Sequence, residues 1–133
     1  MPTKTRCGAD RVAGEAQEQE ALFRWAAYSR GKYPELAMLY HIPNEGKRSG
    51  LAGHRLKLQG LKPGVPDICL PVPSGRFTAL YIELKRRNGG RLSEEQRGWI
   101  AALNRVGCRA VVCRGWNEAR EEIERYLDLG GRA

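Results

Sequence analysis

The sequence predicts a small α/β domain, a mixed β-sheet flanked by helices in the order αβββαβα, and three observations carry that prediction. Two strand-like runs, residues 66–71 and 77–85, follow one another across the turn Pro73-Ser74-Gly75-Arg76 and can pair antiparallel. A later apolar run, 108–114, is reached through a helical segment, so it should lie parallel to the 77–85 strand by a right-handed crossover. The length, 133 residues, suffices for one hydrophobic core but not for two.

Taken in order, residues 1–14 are polar and unpatterned and read as a mobile arm. Residues 15–29 predict a helix whose apolar stripe is Leu22, Phe23, Trp25 and Ala26, ended by Gly31 and Pro34. Residues 36–42 read as a strand and Pro43-Asn44-Glu45-Gly46 as a turn; 51–59 form a short helix closed by Gly60. The two strands named above come next. Ser93 then caps a helix, with Gln96 at its third position making a capping box, and Gly107 stops it near residue 106. After the 108–114 strand, Asn117 is expected to cap a last helix over 117–129. The domain is therefore drawn over 15–129, with 130–133 as a tail.

Charge narrows the class of partner. The formal net charge is +8 and the isoelectric point about 9.7, with arginine outnumbering lysine. Guanidinium forks suit bidentate phosphate contacts, so a polyanion is the natural partner. From 46 to 66 there is no acid, while Lys47, Arg48, His54, Arg55, Lys57 and Lys62 fall there; Arg86, Arg87 and Arg91 form a second cluster. The four cysteines have no zinc-type spacing and suggest no disulfide framework; Cys69 and Cys113 sit in apolar strand-like runs. No signal peptide and no stretch long enough to span a bilayer is evident, so the chain reads as cytoplasmic.

The chemistry is carried by Gly64-Val65-Pro66-Asp67 at the start of one strand and Glu83-Leu84-Lys85 at the end of the next. Side chains alternate along a strand, so Tyr81, Glu83 and Lys85 share one face while Leu80, Ile82 and Leu84 share the other. Antiparallel pairing brings Asp67 beside Glu83. Pro66 is tolerated because it opens its strand, and Gly64 supplies a bend or a close backbone approach. Two carboxylates, with the Leu84 carbonyl as a possible third oxygen, suit a hard cation such as Mg²⁺, whose remaining positions go to water and phosphate. Such a cation acidifies water and offsets charge on a phosphate, and Lys85 would orient the water or stabilise the transition state. A bare Glu-x-Lys carries no weight alone; here strand context, facing and the basic surface reinforce it. The bland alternative makes Asp67 a turn cap and Glu83 and Lys85 solvated strand-end charges. Trp25, Trp99 and Trp116 suit core packing more than base stacking.

These motifs resemble the PD-(D/E)xK nuclease superfamily with its restriction-endonuclease-like fold. More narrowly, Ile42-Pro43-Asn44 with Gly46-Lys47-Arg48, Lys62-Pro63-Gly64 before the aspartate, and Ser93-Glu94-Glu95-Gln96 before Trp99 resemble the VRR-NUC family over residues 15–129. Glu45 departs from it, since many relatives carry glycine there. The family comprises stand-alone proteins of phage and bacteria and the catalytic domain of the Fanconi-associated nuclease; a phage-encoded member would work in the host cytoplasm. The resemblance implies Mg²⁺- or Mn²⁺-dependent endonuclease cleavage of structured DNA, with stand-alone members acting as homodimers on four-way (Holliday) junctions. A nicking or restriction-type endonuclease and an inactive DNA-binding module are the alternatives. It also implies an acidic metal ligand on the first helix. By helical phase Glu18 and Gln19 flank the apolar stripe whereas Glu20 points away, which favours Glu18, its alternative being a surface charge at the helix N-terminus. Gln96 would touch a metal-bound water or phosphate, its capping-box role being the alternative. Asn44, Lys47, Arg48, Arg55, Lys57, Lys62, Arg86, Arg87 and Arg91 are the expected DNA contacts, Asn44 having turn formation as its other reading.

Overall fold

The computed structural model describes residues 14–43 and 50–130. The arm up to residue 13, the turn residues Asn44, Glu45 and Gly46, the expected DNA contacts Lys47 and Arg48, and the tail from 131 lie outside the described residues.

The described elements are α1 (Glu15–Tyr28), a 3₁₀ turn (Pro34–Met38), β1 (Tyr40–His41), α2 (Gly50–Leu58), β2 (Ile68–Leu70), β3 (Leu80–Lys85), α3 (Glu94–Arg105), β4 (Arg109–Arg114) and α4 (Trp116–Asp128). The four strands form one sheet in the order β1-β2-β3-β4. β1 and β3 each run antiparallel to β2, with Ile68 opposite Ile82 and Leu70 opposite Leu80. β4 runs parallel to β3, with Glu83 opposite Val112 and Lys85 opposite Arg114, as the helical crossover requires.

One side of the sheet carries the core. Leu80, Ile82 and Leu84 pack with Ile68, Leu70 and Cys113 against Leu22 and Ala26 of α1 and Ala119, Ile123, Tyr126 and Leu127 of α4, all buried. Trp25 and Trp116 pack half-buried against this cluster, as expected of core tryptophans. The other face of β3 presents Tyr81, Glu83 and Lys85 toward α3. The α3 helix starts with the expected capping box: Ser93 Oγ accepts the Gln96 N–H at 3.1 Å and Gln96 Oε1 accepts the Ser93 N–H at 2.8 Å. Its C-terminal half is tied to the sheet edge by Asn104, whose side chain accepts the Ala110 N–H and donates to the Ala110 carbonyl, both at 3.0 Å. One amide thus stands in for a strand along the outer edge of β4 and blunts it.

Three sequence expectations need correction. Residues 36–42 do not form one strand: Pro34 opens a 3₁₀ turn that buries Leu36, and only Tyr40 and His41 remain extended enough to pair. The third strand begins at Leu80 rather than Phe77, because Phe77 exchanges backbone hydrogen bonds with Ser74 across the preceding turn. The last helix is not capped by Asn117. It begins one residue earlier behind Gly115, whose φ of 87° a side chain would strain, and its first free N–H, that of Trp116, is taken by the Glu18 carboxylate at 2.9 Å.

Asn104→Ala should leave two buried backbone groups of Ala110 without partners and lower unfolding stability by about 1–3 kcal/mol, measured as a shift in denaturant midpoint at constant slope.

Candidate active site

The site forms where the N-terminal approach to β2 meets the C-terminal end of β3 and the first turn of α3. Gly64 makes this convergence possible. Its φ is +90°, and a Cβ there would fall 2.6 Å from the main-chain carbon of Glu95, so only glycine lets the 62–66 segment lie on the opening turn of α3. Asp67 follows at once, and Gln96 is the next residue along the helix.

Asp67 is held from both sides. Its Oδ2 accepts the Leu84 N–H at 2.9 Å, and its own carbonyl accepts the Ile42 N–H at 2.6 Å and bonds His41 Nδ1 at 3.0 Å. The N–H and C=O of a strand residue project to the same side, so the Leu84 carbonyl also faces the edge occupied by Asp67, where β2 has already ended. Glu83 is 2% exposed. Its Oε2 accepts from Gln96 Nε2 at 2.9 Å and lies 3.7 Å from Lys85 Nζ, itself buried. Gln96 therefore caps α3 with one end of its amide and holds Glu83 with the other. Glu83 Oε1 is buried and has no hydrogen-bond partner.

The electrostatics follow from this burial. Loss of solvation, and next the neighbouring Asp67 charge, push the Glu83 carboxyl up to about 8, against the opposing pull of Lys85. Desolvation likewise raises Asp67, partly offset by the Leu84 N–H. The two acids titrate as a pair. Among the described residues no group of three or more His, Cys, Asp and Glu side chains is gathered to hold an ion. The donor set nonetheless fits a magnesium-type cation, which takes one or two carboxylates and fills its other positions with water and phosphate. The orphaned Glu83 Oε1 supplies the observation, since a buried carboxylate oxygen without a donor calls for a positive partner.

Glu18 does not join this pair. Its buried carboxylate is spent on two other donors, the Trp116 N–H at 2.9 Å and Arg87 Nε at 3.0 Å. The acid of α1 whose charge reaches Glu83 is Glu15, and both Glu15 Oε2 and the Lys85 side chain border Gly90. Glu15 was not among the expected site residues, although it stands seven residues before Leu22 and hence on the same helical face. Arg55, Lys57 and Lys62 lie exposed on and after α2, and Arg86 and Arg91 lie exposed in the loop after β3. Arg87 is in that loop too, but its Nε is committed to Glu18. Arg114, also unforeseen, braces the loop by donating to the Gly89 and Gly90 carbonyls at 2.6 and 3.2 Å.

A mixed sheet of this connectivity, with two acids and a lysine meeting at converging strand ends, defines a restriction-endonuclease-like fold of the PD-(D/E)xK kind. The VRR-NUC domain model matches residues 13–117, and the chain belongs to that family of nucleases. A solved structure described as a VRR_NUC domain protein is similar to it, with a TM-score of 0.78 at 25% sequence identity over 90% of this chain and 93% of that one. No curated protein matches the sequence.

Two outcomes follow from the geometry. Because the folded Glu83 keeps a proton between its ordinary value of 4.5 and about 8 that the unfolded chain has released, its contribution to stability is complete below pH 4.5 and is lost as pH rises through 8. In metal-free buffer the unfolding midpoint should therefore fall from pH 5 to pH 8, and Glu83→Gln should flatten that slope and raise stability at pH 8 by at least about 1 kcal/mol. Gly64→Ala should push Glu95 and Gln96 off the site, costing about 1–3 kcal/mol of stability and a larger share of activity than any surface substitution on α3; thermal melts and cleavage rates on the same preparations check both.

Proposed function

We propose that this chain is a divalent-cation-dependent endonuclease that hydrolyses phosphodiester bonds in branched DNA, working on four-way junctions as a homodimer in the cytoplasm. The observation that carries the hydrolytic part is the gathering of Asp67, Glu83, Lys85 and Gln96 at the converging strand ends, where Gln96 and Lys85 both face Glu83 Oε2 and leave the buried Oε1 without a donor. Asp67, Glu83 and the Leu84 carbonyl would hold Mg²⁺ or Mn²⁺, with Glu15 rather than Glu18 as the helix acid beside them. Bound there, the cation would acidify water and offset the charge that builds on the phosphate.

The chain's own residues do the rest. The Leu84 N–H keeps Asp67 aimed into the site, and Gln96 fixes the rotamer of Glu83. The Lys85 ammonium, one side of which faces Glu83, keeps donors for the attacking water or a non-bridging phosphate oxygen. Exposed Arg55, Lys57, Lys62, Arg86 and Arg91, joined by Lys47, Arg48 and Asn44, would grip the backbone on either side of the cut. Contacts of this kind carry no sequence information, so selectivity must come from DNA shape. Cutting two strands symmetrically across a junction calls for two sites related by a two-fold axis, hence the dimer.

Purified protein with Mg²⁺ or Mn²⁺ should cut a labelled four-way junction at least about tenfold faster than linear duplex of the same sequence, a difference of 1.4 kcal/mol or more in barrier. Equal rates on the two substrates would favour a general nicking or restriction-type endonuclease, and no cleavage of any substrate would leave a DNA-binding module. Asp67→Asn, Glu83→Gln and Lys85→Ala should each abolish cleavage while retaining DNA binding in gel shifts. Calorimetric titration with Mn²⁺ should show weaker binding for Glu15→Gln and little change for Glu18→Gln.

A further inference from the structure

The loop after β3 turns on two consecutive glycines. Gly89 and Gly90 both hold positive φ, 73° and 74°, a left-handed conformation that glycine adopts at least cost. Arg114 fixes the turn from the side of the sheet: its Nη1 donates to the Gly89 carbonyl at 2.6 Å and its Nη2 to the Gly90 carbonyl at 3.2 Å. One guanidinium thus gathers two successive carbonyls. In a planar trans peptide a C=O and the N–H that follows it point in opposite directions, and the described residues contain no cis peptide. The Gly90 and Arg91 N–H groups therefore project away from Arg114, and neither has an acceptor among the described residues. Two guanidiniums stand beside them. Arg86 is exposed, with Nη2 3.0 Å from where a Gly89 Cβ would lie, and Arg91 is exposed as well. Neither belongs to an ion pair among the described residues.

We infer that this turn is a phosphate subsite, in which the Gly90 and Arg91 amides, flanked by the Arg86 and Arg91 side chains, hold a backbone phosphate adjacent to the scissile one. Successive N–H groups aimed the same way make a nest for an anion, and guanidinium forks complete the donor set for phosphate oxygens. The Lys85 side chain and Glu15 Oε2 gather with Arg114 Nη1 at 3.7 to 4.0 Å around the place a Gly90 Cβ would take, on the inner side of the turn. Lys85 Nζ points on to Glu83 Oε2 at 3.7 Å, whereas the two N–H groups face the other way. The anion they hold is therefore a neighbour of the one at the acid pair. Arg114 lies opposite Lys85 in the parallel register, which ties the subsite to the catalytic end of β3. It acts as a positioning residue, touching no phosphate itself.

This inference rests on the nuclease reading given above and adds a backbone contact that a count of basic side chains does not contain.

Nitrogen-15 NMR of the full chain in metal-free buffer reads the two amides directly, with inorganic phosphate and a short DNA duplex as separate probes. Each probe should move the Gly90 and Arg91 amide protons downfield. Arg114→Met should abolish both shifts while the rest of the spectrum stays folded, and should weaken duplex binding at least about threefold, the order of one hydrogen bond. Because the lost donors are uncharged, the slope of binding against salt should stay the same, whereas Arg86→Ala should lower it by about one. Arg114→Lys, which keeps a cationic donor, should recover part of the binding, and Arg91→Ala, which keeps its amide, should retain the shift at residue 91. A salt slope lowered by Arg114→Met would mean that Arg114 grips phosphate itself and would overturn its positioning role. If the duplex binds and the two amides do not move, the subsite is wrong while the nuclease reading stands. If the duplex does not bind but inorganic phosphate moves both amides, the anion site stands and the DNA reading falls; if neither probe moves them and the duplex does not bind, both are wrong.

Discussion

Two carboxylates placed side by side away from water cannot both carry charge unless something positive stands with them, and the architecture around Asp67 and Glu83 answers that constraint. Asp67 receives a backbone N–H from Leu84, and Glu83 receives the Gln96 amide and the nearby Lys85 ammonium. These donors come from β3 and from the first turn of α3, and Asp67 itself is anchored to β1 through Ile42 and His41. The short strands, the capped helix and the constricted glycine at 64 are thus all conditions on where two acids sit. The supply of positive charge still falls short: one oxygen of Glu83 has no donor, and the Glu83 proton is retained to about pH 8.

A second buried acid does the opposite work. Glu18 is fully engaged, bridging the start of α4 and Arg87 in the loop after β3. Its two oxygens face the positive end of a helix and a guanidinium, which supply the donors its burial requires. The bond joins α1, near the beginning of the described chain, to α4 near its end, and it seats Arg87 two residues beyond Lys85. Gly115 allows this approach because a side chain there would strike Arg87 Cγ at 2.6 Å. Two buried glutamates within the same small domain are thus told apart by their partners, Glu18 having a donor for each oxygen and Glu83 for only one.

The two faces of the sheet divide the remaining labour. Under α1 and α4 the core is dry and continuous, and it fixes the strand ends; over the other face α3 is only half-packed, held by Asn104 at one end and by its capping box at the other. Held at its ends and open along its flank, the helix still brings Gln96 to Glu83.

Much of this was legible in the chain itself. Strict alternation in Leu80-Tyr81-Ile82-Glu83-Leu84-Lys85 determines which face Glu83 and Lys85 share, and Ser93 with Gln96 determines where α3 begins, because both signals are local and concern a single element. The antiparallel and parallel pairings follow from loop length and crossover handedness, which are nearly as local. Only the tertiary structure decided the rest. Helical phase places both Glu15 and Glu18 on the side of α1 that carries Leu22, but which lies nearer the acid pair depends on what α4 and the loop after β3 bring opposite them, and that is Arg87 and the Trp116 N–H for Glu18. Asn117 has the right chemistry for a cap and lost the position because a distant carboxylate took the helix's first N–H. Residues 36–42 have strand composition, yet Pro34 and the burial of Leu36 curl most of them into a turn. Local pattern determines the face a residue occupies; its partner is set by packing between elements far apart in sequence, which no window along the chain contains.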